Sequence, residues 1–416
     1  MYRITNGIII LPDRLLENHD ILVDGNRISA IVPSDEVIDD LNRGVIDAHG
    51  GYISAGFIDI HSDYIELVAS PRPSIVMDLP TALFEAEREL MIHGITTMFH
   101  SLSLYKESFV DIKAIRKFEN VEKLISLIHD IKQNEHQASH LIRHRLHARI
   151  EIDNVKLSDK VEELINEDKV DLISFMDHTP GQGQYRDFEV YKEVIRSYEG
   201  EVSEEEVTRR IDEELNKTKM SFEEIERLAR LASSKGIAIA SHDDDSAEKL
   251  DIMKDLGATI SEFPIDLPVA QEAIARGMQT VVGAPNVLLG KSHAGNLSAC
   301  DAVDNEVASI LCSDYYPTAM MHAIFMLHAQ HDLELYEAFN LVTINPAKAA
   351  KIDHELGSLE VGKKADILII RTIREKEKSF PVITAVMVDG RVVSRAWYPS
   401  LPSQSARFAT DASESR

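Results

Sequence analysis

The sequence predicts an α/β fold: a (β/α)8 barrel of the TIM type, with a small β-sandwich domain formed by both chain termini. Three observations predict it. Strand-like and helix-like segments alternate through the middle of the 416-residue chain, which is the pattern of a parallel sheet. Both ends of the chain are strand-like instead. A barrel alone takes ~250 residues, so the length leaves room for one small additional domain.

The barrel domain is expected to span residues 56–352, between the two parts of the small domain, 1–55 and 353–400. Turn signals at Asp24-Gly25 and Asp389-Gly390 indicate one hairpin in each part of the small domain. We predict eight barrel strands, at 56–62, 95–101, 145–152, 171–177, 236–242, 258–263, 278–284 and 308–314.

Helical patterns separate the predicted strands. One helix runs from about Thr81 to His93 and ends at Gly94, a residue type that favours helix termination. The segment 188–232 is longer than a barrel connection requires and contains two capping-box patterns. We interpret it as an added helical pair with a structural or oligomeric role. Residues 402–416 are mostly polar without periodicity, which predicts a disordered tail.

The composition limits the classes of partner. Net charge is −26, which disfavours nucleic acid and anionic membranes as partners. Hydrophobic residues make up 44% of the chain, yet no apolar run approaches the ~20 residues that span a bilayer. The two cysteines form no disulfide framework, which agrees with a reducing compartment. We therefore expect a cytoplasmic protein that acts on a small molecule.

The first predicted barrel strand, Gly56–Asp63, ends in two residues that can bind a metal, His61 and Asp63. Strand alternation would place Phe57 and Asp59 on the same face as this pair. Two such residues at the carboxyl end of a barrel strand are typical of a metal site at the barrel mouth. The alternative is a core histidine beside an aspartate that caps a helix.

Other predicted strands also end in polar residues. The third strand alternates polar and apolar residues, and we expect its polar row to face the barrel interior: Arg145, His147, Arg149 and Glu151. His178 follows the fourth strand, His242 ends the fifth and Asp314 follows the eighth. Active sites of such barrels lie at this end. We predict that Asp314 is placed to hold a metal-bound water and to take its proton.

Two loops have the composition of anion-binding segments. After the seventh strand, Gly290–Asn296 combines glycines with Lys291, Ser292 and His293. The loop after the fourth strand carries Gln182, whose amide can contact a phosphate oxygen. A solvated turn is the alternative for Gly290–Asn296, and a single glycine-containing turn such as the one that carries Gln182 is a weak signal of binding.

Four more histidines recur at helical spacings before the third strand: His129, His136, His140 and His144. We expect surface histidines there rather than a second metal site.

The motifs taken in order resemble a known family, the amidohydrolase superfamily, and within it the diphosphatases of phosphonate catabolism. The resemblance covers about residues 50 to 350. It rests on Gly56-Phe-Ile-Asp-Ile-His-Ser-Asp63, Ser70-Pro-Arg-Pro73, Gly94-Ile-Thr-Thr97, Met176-Asp-His-Thr-Pro-Gly-Gln182, Ala240-Ser-His-Asp-Asp244, Glu262-Phe-Pro264, Gly283-Ala-Pro-Asn286, Ser292-His-Ala-Gly-Asn296 and Ser313-Asp-Tyr-Tyr-Pro317.

The resemblance implies roles for residues at matching positions. The metal ligands it implies are His61, Asp63, Glu151, His178, His242 and Asp314. The candidate substrate contacts, taken together with the two loops, are Arg72, Arg149, Gln182, Lys291, Ser292 and His293. The chain departs from the superfamily pattern where Asp63 replaces a histidine and where the sixth strand ends in Glu262. Both departures add oxygen ligands.

The activity implied by the resemblance is hydrolysis of α-D-ribose 1-methylphosphonate 5-triphosphate to the 5-phosphate and pyrophosphate. The implied cofactor is a divalent metal, zinc first, with manganese, nickel or iron as alternatives and magnesium accompanying the triphosphate. We also expect a homo-oligomer. Two alternative functions stay open: a related hydrolase acting on another phosphorylated compound or a cyclic amide, and a catalytically inactive barrel that serves as an assembly subunit.

Overall fold

A computed structural model of the chain describes residues 1–37, 43–104, 113–135, 139–183, 188–199, 202–292, 296–376 and 378–399. The predicted tail, 402–416, lies outside these ranges. Within them the strands are β1 Tyr2–Thr5, β2 Ile8–Ile10, β3 Leu15–Leu16, β4 His19–Asp24, β5 Arg27–Pro33, β6 Gly44–Asp47, β7 Tyr52–Ala55, β8 Phe57–Ser62, β9 Ile95–Leu104, β10 Arg143–Glu151, β11 Leu172–Met176, β12 Ala238–His242, β13 Ile260–Glu262, β14 Gln279–Gly283, β15 Ile310–Cys312, β16 Ile367–Glu375, β17 Lys378–Val388 and β18 Arg391–Arg395.

The helices within the same ranges are α1 Tyr64–Ala69, α2 Leu79–Ile92, α3 Phe118–Gln133, α4 Ser158–Asn166, α5 Phe188–Glu199, α6 Glu204–Leu215, α7 Phe222–Ser234, α8 Ala247–Asp255, α9 Leu267–Ala275, α10 Ala284–Leu289, α11 Ala299–Asp304, α12 Ala319–Gln330, α13 Leu335–Asn340 and α14 Ile344–Ala349. No helix of the described ranges is both long and apolar enough to cross a membrane.

The barrel prediction is confirmed. In the described chain, β8 to β15 form one eight-stranded sheet in sequence order, and every neighbouring pair is parallel. A bridge between Ser62 and Asp314 joins the first strand to the end of the last. Strands of a parallel barrel are covered on both faces, and all ten residues of β9 are buried although five of them are polar.

The first barrel strand differs from strict alternation. Its pairing register with β9 shifts twice, between Phe57 and Ile58 and between Asp59 and Ser62. As a result Phe57 packs in the apolar layer that includes residues of α12 and α13, whereas the His61 ring contacts other histidines. The expectation that Phe57 and His61 share one face is therefore wrong, because irregular pairing breaks the period of two.

The chain termini form the two sheets of the small domain. One sheet has the order β5-β4-β1-β6 and the other β18-β17-β16-β7-β2-β3. Side chains of both sheets, such as Ile21 and Ile53, share one buried core. The two predicted turns meet there. A Cβ atom on Gly390 would lie 2.0 Å from the Gly25 carbonyl oxygen, so only glycine fits that position.

Arg143, at the start of β10, links the barrel to the small domain. The residue is 2% exposed, and its guanidinium donates hydrogen bonds to both carboxylate oxygens of Asp366. Nη2 also lies 2.5 Å from Asp389 Oδ1. Burial alone would lower the pKa of Arg143, but the two carboxylates raise it above its ordinary value. The cluster is therefore a buried, charged contact between the two domains.

The segment 188–232 holds three helices rather than a helical pair. Helices α6 and α7 begin at the serine caps Ser203 and Ser221, as the capping patterns indicate. Helices α5 and α6 share a small apolar core of their own that includes Ile195 and Val207. Helix α7 instead packs Leu228 and its neighbours into the main layer around the barrel. The added pair is thus α5 and α6, and α7 is the barrel helix that leads into β12.

Candidate active site

A cavity of about 190 Å³ opens at the carboxyl ends of the barrel strands. It is lined by side chains from the first, third, fifth, sixth, seventh and eighth strand ends and from nearby loops: His61, Asp63, Arg116, Arg149, His242, Asp243, Phe263, Pro264, Val282, Gly283, Asn286, Ser292, Asn296, Leu297 and Asp314. A larger groove of about 980 Å³ on the outer surface is lined by side chains of α2, α3 and α4, and its described lining contains no histidine. Because the smaller cavity is the one lined by side chains that can bind a metal, it is the candidate active site.

The first metal-type group at this end consists of His61, His242 and Glu262. His61 Nδ1 lies 3.0 Å from Glu262 Oε1, and the His61 and His242 ring centroids are 5.4 Å apart. All three residues are buried. Burial, followed by the charge of Arg149, keeps the pKa of His61 well below its ordinary value. His61 is therefore the neutral imidazole that a metal ion requires as ligand.

A second group, His178, His242 and Asp243, overlaps the first at His242. His242 Nδ1 lies 3.1 Å from Asp243 Oδ2, and His178 Nε2 lies 3.9 Å from the same oxygen. The other ring nitrogen of His178 is 2.9 Å from Glu151 Oε2, which fixes the orientation of the ring. Because the two groups share one histidine, both belong to a single centre.

Several buried polar atoms of this centre have no hydrogen-bond partner among the described residues. They are His61 Nδ1, Asp63 Oδ1, both ring nitrogens of His242, Asp243 Oδ2 and both carboxylate oxygens of Glu262. Buried polar atoms are usually paired, since an unpaired one costs about 1–3 kcal/mol. Imidazole nitrogens and carboxylate oxygens are zinc-type ligands. The donor set therefore fits a divalent metal ion.

Three residues at the mouth have a left-handed backbone: Asp243, Phe263 and Asp314, with φ values of 50°, 55° and 56°. Residues other than glycine adopt this region infrequently. Asp243 and Phe263 directly follow barrel strands, Asp314 is the second residue after one, and all three line the cavity. Such conformations persist where the surrounding structure enforces them and are concentrated at functional sites.

Asp314 is held against the end of β8. Its backbone N–H donates to the His61 carbonyl (3.1 Å), and its own carbonyl accepts from the Asp63 N–H (2.9 Å) and the Ser62 hydroxyl (2.7 Å). Burial, followed by the neighbouring charge of Asp63, raises the pKa of the Asp314 carboxyl to about 7. A carboxylate with a pKa near neutrality is suited to accept a proton from water at that pH.

The cavity also contains two arginines. Arg116 Nε donates to Glu66 Oε2 at 2.8 Å, and Nη2 lies 3.7 Å from Asp63 Oδ2. Arg149, from β10, is the second. Two guanidinium groups beside a carboxylate-rich centre can bind an anionic substrate oxygen at the mouth.

The structure brings most of the sequence-predicted residues to this centre. His61, Asp63, His242, Asp314, Arg149 and Ser292 line the cavity, while His178 and Glu151 pair beside it. The inward polar row on β10 is present for His147, Arg149 and Glu151, whereas Arg145 pairs with Glu135 and Asp171.

The other substrate candidates are not brought together. Arg72, Gln182 and Lys291 are exposed and do not line the cavity. His293 lies outside the described residues.

Sequence reasoning left three residues out of the predicted site. Asp243 directly follows His242, and Glu262 occupies the position where the superfamily pattern has a histidine, so both had a sequence signal. Arg116 had none, because it comes from a short 3-10 turn, Ala114–Arg116, that follows no strand directly. Only the folded chain brings it to Asp63.

Residues 52–393 match the amidohydrolase family. The chain belongs to this family. The amidohydrolase is 31% identical over 330 residues to the α-D-ribose 1-methylphosphonate 5-triphosphate diphosphatase of Escherichia coli K12, across 78% of this chain and 84% of that enzyme. A shorter match, 28% identical over 134 residues, relates it to an adenine deaminase of Clostridium botulinum strain Loch Maree, across 30% of this chain and 22% of that one.

Solved structures share the fold of this amidohydrolase. N-acetylglucosamine-6-phosphate deacetylase from Pasteurella multocida superposes with a TM-score of 0.59 at 15% identity, covering 95% of this chain and all of that one. Dihydropyrimidinase from Brevibacillus agri superposes with a TM-score of 0.57 at 14% identity, covering 95% of each chain. At these identities the likeness concerns the fold alone. Family membership makes the chain a hydrolase. Its histidine and carboxylate centre lies at the carboxyl ends of the barrel strands, the end at which active sites of such barrels lie.

Proposed function

We propose that this amidohydrolase cleaves α-D-ribose 1-methylphosphonate 5-triphosphate to the 5-phosphate and pyrophosphate, in the breakdown of phosphonates. The observation that carries the proposal is the 31% identity to the Escherichia coli enzyme of that name across 84% of its length. The buried histidine and carboxylate centre beside two arginines is consistent with it. The cytoplasmic location and the homo-oligomer stay predictions from the sequence.

In the proposed reaction, water attacks a phosphorus atom of the triphosphate, a phosphoanhydride bond breaks and pyrophosphate leaves. Asp314 accepts the proton of the attacking water. Arg116 and Arg149 offset negative charge on the phosphoryl oxygens. The residues that would hold the metal are His61, His242 and Glu262, with the remaining histidine and carboxylates of the centre. A divalent ion, zinc first, supplies Lewis acidity at the phosphoryl oxygens when bound.

Phosphorus NMR tests the proposal. Protein reconstituted separately with zinc, manganese, nickel and magnesium is incubated with the triphosphate. We expect pyrophosphate and the 5-phosphate to appear with at least one of these metals. If elemental analysis confirms bound metal and the triphosphate stays intact with every ion, the substrate assignment is wrong although the family assignment stands.

A second candidate substrate comes from the shorter matches. The adenine deaminase of Clostridium botulinum shares 28% identity over 134 residues, so another substrate class of the same family is the alternative. Ammonia release from adenine by the same reconstituted samples, with no pyrophosphate from the triphosphate, would favour it. An assembly subunit without activity would show neither reaction while retaining its fold.

A further inference from the structure

We propose that Glu87, His140 and His144 form a second metal site, for a zinc-type divalent ion, on the outer face of the barrel. Glu87 belongs to α2, His144 to β10, and His140 precedes β10. Neither the family assignment nor the proposed reaction uses these residues. His144 and the active-site residue Glu151 are seven positions apart along β10, which corresponds to about 23 Å, so the site is separate from the catalytic centre.

The structure corrects the expectation of surface histidines here. His144 is fully buried, and the fully buried Glu87 carboxylate faces it. His136 lies outside the described residues and plays no part in the proposed site. The relevant histidines therefore stand between α2 and the barrel wall, where a charged carboxylate needs a partner.

The ligand atoms already converge. His140 Nδ1 lies 3.0 Å and His144 Nε2 3.2 Å from Glu87 Oε2, and one ligand atom from each of the three residues lies within 4.8 Å of the others. A tetrahedral ion with bonds of ~2.0–2.1 Å holds its ligand atoms about 3.3 Å apart. The observed separations are close to that distance, so only small shifts are needed to admit an ion.

The hydrogen bonding of Glu87 is one-sided. Oε2 lies within hydrogen-bond distance of both imidazoles, and it accepts a hydrogen bond from the Leu141 backbone N–H at 3.2 Å. Oε1 is buried and has no hydrogen-bond partner among the described residues. A buried carboxylate oxygen without a partner is costly. A metal ion that Glu87 binds through both carboxylate oxygens would give Oε1 a partner.

The groups around Glu87 also favour a cation. No lysine or arginine of the described chain forms an ion pair with Glu87. The described groups within hydrogen-bond distance of its carboxylate are the two imidazoles and the Leu141 backbone N–H. A buried carboxylate needs such partners, and a metal ion is the strongest that two imidazoles and a carboxylate can take up together.

His100 supports the ring of His144 from the other side. Its Nε2 lies 2.8 Å from His144 Nδ1, and the two rings are stacked with an interplanar angle of 6°. A histidine that binds metal through one nitrogen characteristically hydrogen-bonds through the other, which fixes its orientation. His100 fills that role for His144.

Access and ligand type indicate which ion fits. The His140 side chain is 27% exposed while Glu87 and His144 are fully buried, so an ion reaches the site past His140. Two imidazoles and one carboxylate suit zinc, nickel or copper rather than magnesium or calcium. Three protein ligands leave a fourth position for water. Because the ligands come from α2 and from β10 with its preceding segment, bound metal would stabilise the contact between helix and barrel wall.

Metal counting on the full-length holoenzyme tests the site. Wild-type protein, His140→Ala and Glu87→Gln are saturated with zinc, dialysed and measured by elemental analysis. We expect both variants to carry one metal equivalent per chain less than the wild type while retaining turnover. Zinc should also raise the melting temperature of the wild type more than that of His140→Ala, since a ligand that binds only the folded state stabilises it.

The matched control is His331→Ala. His331 Nδ1 lies 2.8 Å from Asp304 Oδ1, a histidine–carboxylate pair that belongs to none of the metal-type groups of the described chain. Its metal content should equal that of the wild type. Glu87→Gln alters a fully buried residue. If that variant fails to fold, His140→Ala, which alters a partly exposed residue, tests the site by itself. Wild-type metal content and an unchanged zinc-dependent melting shift in His140→Ala would overturn the proposal.

Discussion

Buried charge is arranged differently at the two ends of the barrel. At the amino ends of the strands, the Arg143 guanidinium contacts the carboxylates of Asp366 and Asp389, so positive and negative groups meet within the protein. At the carboxyl ends, His242 and Glu262 are equally buried, yet two atoms of each lack a hydrogen-bond partner among the described residues.

The difference distinguishes charged groups that stabilise the fold from charged groups that are suited to bind a ligand. In the Arg143 cluster opposite charges neutralise one another, although Arg143 Nε and Asp389 Oδ1 also lack a hydrogen-bond partner among the described residues. The cluster joins the small domain to the barrel. An incompletely paired set of imidazoles and carboxylates destabilises the protein while no ligand is bound. The set gains its partner when an ion or substrate binds. Changes at the first end should therefore alter stability, and changes at the second should alter chemistry.

The largest expected effect is on stability, at the amino end. Arg143→Met removes the charge while keeping most of the side-chain volume, and it leaves the buried Asp366 and the partly exposed Asp389 without their cation. We expect the free energy of unfolding to fall by about 3–5 kcal/mol. Denaturant unfolding measures the change. Turnover per folded molecule and metal content should equal those of the wild type.

Arg276→Met serves as the matched control. Arg276 pairs with Asp251 and Glu272, two carboxylates that are exposed, and such pairs contribute at most about 1 kcal/mol. Equal losses of stability in the two variants would contradict the view that the Arg143 contact carries the domain junction.

The next effect is on chemistry, at the carboxyl end. Asp314→Asn keeps the shape of the side chain but removes its capacity to accept a proton. We expect turnover to fall by ~10² or more, since general-base catalysis contributes about that factor. The rate of pyrophosphate release measures it. Near-normal turnover in a folded variant would remove Asp314 from the mechanism.

The sequence predicts most of the fold because strand-like and helix-like segments alternate through the middle of the chain. It misjudged the segment 188–232 because α7 begins at a serine cap, as α6 does, and has a similar helical periodicity. Which of the three helices packs on the barrel depends on tertiary contacts. The face shared by Phe57 and His61 was misjudged for a related reason. A shift in strand pairing leaves no mark in the pattern of residue types.

The candidate site was predictable where its residues end a strand. His61, His242 and Asp314 follow this rule, because the carboxyl ends of barrel strands meet at one mouth. Arg116 does not follow it, since a connecting segment delivers it. For His144 the sequence pattern indicates the wrong environment. Its spacing from other histidines suggests a helix surface, but it lies within β10 and is buried.

A smaller effect is expected for Glu262→Gln in metal-free protein, and it tests whether the two ends of the barrel differ in how their buried charges are paired. Burial raises the pKa of Glu262 above its ordinary value, so the folded protein binds a proton there that the unfolded chain has released. Wild-type stability should therefore fall as pH rises from about 4.5 through the folded-state pKa. The amide does not titrate, so we expect the variant to gain about 1 kcal/mol relative to the wild type at neutral pH.

Thermal unfolding at pH 4 and at pH 7 measures this difference, and elemental analysis should show weaker metal retention by the variant. A variant that is less stable than the wild type at both pH values would mean that Glu262 is satisfied within the protein, like Asp366, and that the two ends of the barrel do not differ in the proposed way.

The smallest expected effect concerns Lys291, which is exposed beside the loop that contributes Ser292 to the cavity. If Lys291 contacts a remote phosphate of the substrate, Lys291→Ala should raise KM a few-fold and leave turnover unchanged, because an exposed ion contact contributes at most about 1 kcal/mol. Steady-state kinetics at two salt concentrations measure it, since screening should weaken the same contact in the wild type. Lys254→Ala, which removes a lysine from α8, is the control. Identical KM values for all three proteins would assign Lys291 to a solvated turn, and substrate binding would then rest on Arg116 and Arg149.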